Sequence, residues 1–185
     1  MTDAHLLPHD EIKISLSKFS DINEQIRNLR SFLMLKEEDV KLREKVCITI
    51  KNLIKELNFD FKVYLFGSSV NGLGFRWSDI DISVQTTVCN QQNPQEMLKM
   101  IMAKLKENQN QFGGFKDAFN ARIPIIKFVD IKSGLKCDLS ISNRMALANS
   151  KFIKKCLEVD YRYVLYRYLF TRNTPFYCLF HLKLK

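Results

Sequence analysis

The chain has 185 residues, room for one principal domain with a sizeable core, and its 46% hydrophobic content argues against general disorder. Lysine and arginine outnumber the acids 29 to 20, and the formal charge of +9 suits a polyanionic partner without by itself demanding one. Cysteines 47, 89, 137, 156 and 178 show no Cys-x-x-Cys or zinc-finger spacing, and His5, His9 and His181 are scattered, so zinc sites and disulfide frameworks give way to reduced thiols.

Residues 1–20 read as a loose leader. Its opening, Met1 to Pro8, carries an acid and lacks both a secretory apolar stretch and an Arg-rich transit pattern, and no run in the chain is long enough to span a bilayer. The expectation is an intracellular protein with no membrane partner, in nucleus or cytoplasm ahead of mitochondrion. Residues 21–58 read as N-terminal helices. Asp21-x-x-Glu24 predicts a capped helix carrying Ile22, Ile26, Leu29 and Leu33 at three-to-four spacing. A second helix starts near Glu37. Its apolar stripe is Val40, Cys47, Ile50, Leu53, Ile54 and Leu57, while Lys41, Arg43, Lys45, Lys51 and Lys55 are assigned to its solvated sides.

Residues 59–142 carry the strands. Phe61 to Phe66 leads into the turn Gly67-Ser68-Ser69, and a short helix is expected before a strand holding Asp79-Ile80-Asp81. Asn93-Pro94-Gln95-Glu96 opens a helix with Met97, Leu98, Ile101 and Leu105 on its buried face, ended by a loop from Asn108 to Gly114. Ile123 to Val129 and Leu135 to Ile141 read as strands joined by a turn at Lys132-Ser133-Gly134. Asn143 to Leu157 returns to helix, and internal repeats and low-complexity tracts are lacking.

The chemistry concentrates between Phe66 and Asp81. Residues i and i+2 of an extended chain point the same way, so Asp79 and Asp81 share a face while Ile80, Ile82 and Val84 anchor the other. Two carboxylates on one face repel unless cations lie between them, and hard divalent ions bridge such acids to phosphates, about 4 Å apart in two-metal sites. Gly67 allows a tight turn, and the Ser68 and Ser69 hydroxyls with nearby amides are donors for phosphate oxygens, although a simple hydrogen-bonded turn would use the same residues. Asp138, opposite in face to Leu139 and Ile141, is the expected third acid from a neighbouring strand.

Gly67, Ser68, Asp79, Asp81 and Asp138 together resemble the DNA polymerase β-like nucleotidyltransferase superfamily, most closely its branch of poly(A) polymerases and terminal uridylyltransferases. The resemblance runs through Phe66 to Gly72, Ser78 to Asp81, Ala121 to Phe128, Cys137 to Ser140 and Asn143 to Ser150, and covers about Ile22 to Asp160. Around Arg122 and Asn143 to Leu147 the wording is similar to the mitochondrial poly(A) polymerase and U6 uridylyltransferase group. It implies an α+β fold, a polymerase β-like palm with a mixed sheet flanked by helices. It also implies two Mg²⁺ or Mn²⁺ ions on Asp79, Asp81 and Asp138, UTP or ATP as substrate, and an RNA 3′ end as acceptor. By the same resemblance Asn149 and Ser150 match the pair that holds the ribose hydroxyls. Arg122 stands as a contact for RNA or phosphate, with a solvated edge charge as the bland alternative.

Beyond Asp160 the resemblance stops, and residues 143–185 read as the remnant of a helical second domain with a divergent tail. That tail interleaves Arg162, Arg167 and Arg172 with Tyr161, Tyr163, Tyr166, Tyr168, Phe170, Phe176, Tyr177 and Phe180. Such a mixture stacks bases in some single-strand platforms, but so many aromatics call first for burial, here under a protein partner. The chain is expected to be a shortened product. Two alternatives to RNA extension follow, a catalytically incompetent RNA- or partner-binding form and a transferase with a protein or small-molecule acceptor.

Overall fold

The computed structural model describes residues 21–57, 60–86 and 93–159. The expected leader, the aromatic and basic tail, all three histidines, Cys89 and Cys178 lie outside the described residues.

Helix α1, Ile22–Leu33, begins where the Asp21 carboxylate accepts the Asn23 N–H, the cap read from the sequence. Helix α2, Glu37–Lys55, follows directly, with Asp39 accepting the Lys36 N–H at 2.9 Å and three acids in its positive first turn. Strand β1, Phe61–Phe66, runs into a single 3₁₀ turn at Gly67–Ser69. From Val70 to Asp79 the chain makes bends and turns but no helix, so the short helix expected there is confined to that 3₁₀ turn. Gly72 and Gly74 and the polar run around Asn71 favour bends over helix.

Strand β2, Ile80–Thr86, is followed by helix α3, Pro94–Lys106, where Asn93 accepts the Gln95 N–H and Pro94 occupies the first turn. Strand β3, Phe112–Ala118, takes the last three residues of the expected loop and runs on through Ala118, where no element was expected. Gly113 and Gly114 obscured it, because the register shifts between Gly113 and Lys116 and Gly114 takes a positive φ of 63°. Strands β4, Ile125–Asp130, and β5, Lys136–Ile141, meet through the expected turn, where the Asp130 carboxylate accepts both the Ser133 N–H and hydroxyl. Helix α4 spans Arg144–Val159.

The five strands form one mixed sheet in the order β1-β2-β5-β4-β3. Only β2 and β5 are parallel. One face is dry: Ile80, Ile82, Val84, Ile126, Phe128, Cys137 and Leu139 pack under Ile50 and Ile54 of α2 and Leu98, Ile101 and Leu105 of α3. Alternation along each strand then sends Asp81, Lys127 and Asp138 to the opposite face, so burying the aliphatic set displays the charged one. The expected α+β palm, a mixed sheet flanked by helices, is the architecture found.

Candidate active site

Parallel pairing of β2 and β5 places Asp81 opposite Asp138, and antiparallel pairing of β5 and β4 places Lys127 opposite Asp138. The row Asp81, Asp138, Lys127 crosses three adjacent strands. Asp79 precedes β2 by one residue, so it enters the site from the loop rather than from within the strand. It is exposed, whereas Asp81 and Asp138 are half-buried.

Asp81 lies at the centre of the electrostatics. Burial pushes its carboxyl up to about 6, the charges of Asp138 and Asp79 push the same way, and Lys127 together with the Ser68 backbone N–H opposes them. Asp79 and Asp138 are thus close enough to raise the cost of ionising Asp81. Among the described residues no group of three or more histidine, cysteine, aspartate or glutamate side chains is arranged as it stands to hold a metal ion. Lys127 hydrogen-bonds the Asp138 carboxylate, and that contact raises its own pKa.

The turn and the acids are built against each other. Gly67 has φ 63°, and a Cβ there would lie 2.1 Å from Asp81 Oδ2, so only glycine lets the carboxylate sit against the turn. The Gly67 N–H donates to Ser150 Oγ at 2.8 Å, and that hydroxyl donates to the Ala146 carbonyl at 2.7 Å, tying the turn to the first turns of α4. Ser150 is therefore buried beneath the bend, while its neighbour Asn149 is exposed. Ser68 is half-buried and Ser69 buried, with the Ser69 hydroxyl lacking a hydrogen-bond partner among the described residues. Arg122 is exposed in the connection between β3 and β4. A cavity of about 460 Å³ lies between β1 and α4, lined by Tyr64, Gln85, Leu147, Ser150, Lys151 and Lys154; it backs onto the turn and does not include the aspartates.

The donor set suits a hard divalent cation. The three acids offer carboxylate oxygens, the ligands such an ion takes, a cation would relieve the repulsion that Asp138 and Asp79 exert on Asp81, and glycine at position 67 leaves room for the Asp81 carboxylate against the turn.

With this geometry established, comparison with known proteins is informative. The family described as poly(A) RNA polymerase, mitochondrial-like, central palm domain matches residues 22–157. The chain belongs to this family. It is 25% identical over 85% of its length to the speckle targeted PIP5K1A-regulated poly(A) polymerase of Danio rerio, covering 24% of that protein. It is 33% identical to human terminal uridylyltransferase 4 over 65% of its length, covering 8% of that protein. The crystal structure of mtPAP in complex with ATPγS superposes with a TM-score of 0.79 at 25% identity, over 91% of this chain and 41% of that one. The chain thus spans about a quarter or less of these curated relatives and two-fifths of the solved polymerase, and what it shares with them is the nucleotidyltransferase palm.

Two residues of the site's surroundings escaped the sequence reading. Lys127 was legible as facing away from the core, since Ile126 and Phe128 are both buried, but its partner depended on strand register. Arg43, assigned to the solvated side of its helix, is instead 1% exposed. Its guanidinium donates to the carbonyls of Phe75, Arg76 and Ser78, whose chain leads into Asp79, and the helical period alone cannot foretell such a partner. The cysteines agree with their bland reading: Cys47 and Cys137 are free, and burial pushes their thiols up to about 11 and about 12. No helix among the described residues is long and apolar enough to cross a membrane.

Proposed function

We propose that this chain is the catalytic palm of an RNA 3′-terminal nucleotidyltransferase, which adds UMP or AMP from the triphosphate to an RNA 3′ hydroxyl and releases pyrophosphate. The observation that carries it is the row of Asp81 and Asp138 in parallel register, with Asp79 two residues ahead and the Gly67 turn against the Asp81 carboxylate. The mtPAP complexes with ATPγS and UTP support nucleotides of both kinds as ligands of a palm of this shape.

In this reading Asp79, Asp81 and Asp138 would hold two divalent ions, Mg²⁺ or Mn²⁺, which would supply Lewis-acid activation of the 3′ hydroxyl and neutralisation of the triphosphate charge. The backbone and hydroxyl donors of Gly67, Ser68 and Ser69 orient the triphosphate so that the 3′ oxygen attacks the α-phosphorus in line with departing pyrophosphate. Exposed Asn149 meets the ribose hydroxyls. Ser150 supports that contact from below by holding the turn through Gly67. Arg122, on the exposed rim, contacts the RNA backbone.

The deciding assay incubates the chain with a labelled oligoribonucleotide, Mg²⁺ or Mn²⁺ and each NTP separately. A ladder of extended products with UTP or ATP is the expected result, and RNA binding without extension in any NTP would overturn the catalytic reading. Label transferred from NTP to a protein or small molecule instead would replace the acceptor.

A further inference from the structure

We propose that Arg43 is a positioning residue for the metal site, a buried fork that fixes the loop from Phe75 to Ser78 and so places Asp79 over the ions. The three acids are unequally supported. Asp81 and Asp138 stand inside strands whose ladder fixes them, whereas Asp79 precedes its strand and needs another support. Arg43 supplies it. Nη2 donates to the carbonyls of Phe75 at 3.3 Å, Arg76 at 3.1 Å and Ser78 at 2.7 Å, and Nη1 reaches the Asp39 carbonyl at 3.4 Å within its own helix.

A buried cation is costly unless its donors are satisfied; Nη2 meets three carbonyl oxygens of the loop and Nη1 one of the helix, while Nε is buried without a hydrogen-bond partner among the described residues. Desolvation accordingly lowers the Arg43 pKa, opposed first by the negative charge of Asp39. Other struts converge on the same segment. The Phe75 N–H donates to Ser78 Oγ, the Arg76 N–H to the Leu33 carbonyl, and Asp39 pairs with Arg76 Nε at 3.2 Å. Phe75 and Trp77 stack on each other and pack against Leu29 and Leu33 of α1. The N-terminal helices therefore serve as the mount of the first aspartate. Glutamine in place of this arginine removes the charge and shortens the reach, so it cannot bridge the Asp39 carbonyl of the helix and the three loop carbonyls that Nη1 and Nη2 now span, whereas lysine keeps a three-donor nitrogen but loses the second arm.

This inference rests on the metal-dependent reading above, and its test separates the two. Arg43→Lys and Arg43→Gln are compared with Ile50→Val and Ile50→Ala, core truncations on the same helix that grade stability without touching the loop. Mn²⁺ affinity is measured by titration, and amide exchange is followed at Phe75, Arg76 and Ser78. The expected result is about tenfold weaker Mn²⁺ binding and about tenfold faster exchange of those amides in Arg43→Gln, with a smaller loss in Arg43→Lys, at unchanged exchange in β5. Wild-type Mn²⁺ affinity in a folded Arg43→Gln protein, or a loss that simply tracks melting temperature along the Ile50 pair, would overturn it. If the Arg43 variants do not fold, Ser78→Ala removes the Phe75 strut from the other side. It should weaken Mn²⁺ about threefold, and an unchanged affinity overturns the proposal equally. Wild-type chain that binds Mn²⁺ yet extends no RNA removes the polymerase reading while leaving the clamp standing; wild-type chain that binds no Mn²⁺ removes the clamp's purpose.

Discussion

Asp138 and Asp79 would do the same chemical work from opposite kinds of support. Asp138 stands in the middle of a strand flanked by β2 and β4, with Cys137 and Leu139 fully buried on the other face. Asp79 stands at the end of a ten-residue passage held by one backbone bridge, Met34 to Phe75, and otherwise by side chains: a buried arginine, a serine hydroxyl and an aromatic pair. A sheet positions a residue through backbone bonds that tolerate many side chains, whereas a loop positions one only through particular residues. Substitutions around Asp138 should therefore be forgiven more often than substitutions around Asp79.

The largest effect is expected where the two supports converge. Replacing Asp79, Asp81 or Asp138 by alanine should each reduce nucleotidyl transfer by roughly a thousandfold or more while circular dichroism and melting stay near wild type, since removing a repelling acid does not unfold the palm. Asp138→Ala with wild-type extension of RNA would break the equivalence of the three acids.

Two glycines then separate the supports. Gly67→Ala strikes the sheet side, driving a methyl into the Asp81 carboxylate from a positive φ; transfer should fall by about a hundredfold with a stability loss of about 1 kcal/mol. Gly74→Ala strikes the loop side, where a Cβ would lie 2.4 Å from Leu35 Cδ1 and 2.5 Å from the Ser68 carbonyl. Its main cost should appear in stability, about 2–3 kcal/mol by urea denaturation, because the second clash is with backbone. Gly74→Ala with wild-type melting would show that the loop yields more readily than its contacts suggest.

Protonation sharpens the contrast further. Asp81 carries a folded-state pKa of about 6, above its ordinary value, so between about pH 4 and 6 the folded chain binds more protons than the unfolded one. Stability of the metal-free protein should fall as pH rises through that window, and Asp81→Asn should recover about 1 kcal/mol at pH 7 by removing the ionisation cost. Divalent-ion affinity moves the other way, weakening as pH drops below 6 because a proton then competes for the same oxygens. A metal affinity flat from pH 5 to 7.5 in calorimetric titration would place the ions away from Asp81.

The smallest effect concerns Lys127, the cation already on Asp138. Lys127→Met removes a competitor for that carboxylate, so Mn²⁺ should bind about threefold more tightly while metal-free stability drops by about 0.5 kcal/mol. Weaker Mn²⁺ binding in this variant would mean that the ammonium organises Asp138 rather than contesting it.

Much of the fold lay open in the residues themselves. Asp21 and Asn93 each cap the helix expected of them, and the aliphatic residues alternating with Asp81 and Asp138 are buried as the period of two requires. Strand β3 was hidden because paired glycines erase both the alternation and the propensity that mark a strand, and its partner β4 supplies the order instead. Arg43 was hidden for a related reason. A helical period sorts residues by face, yet whether a cation on the margin of the apolar stripe meets water or three carbonyls depends on a loop more than thirty residues away.

Sequence by itself determined the reactive vocabulary of this protein: two acids at i and i+2, a glycine ahead of two serines, a third acid on an alternating strand, and helices with their own caps. Each is set by local geometry, which the chain carries wherever it folds. Only the tertiary structure decided that Asp138 pairs across from Asp81, that Lys127 reaches Asp138, that Ser150 holds Gly67 and that Arg43 is buried beneath the approach to Asp79. Lateral register and the burial of a charge are properties of neighbouring elements, and no periodicity within one segment encodes where its neighbour will stop.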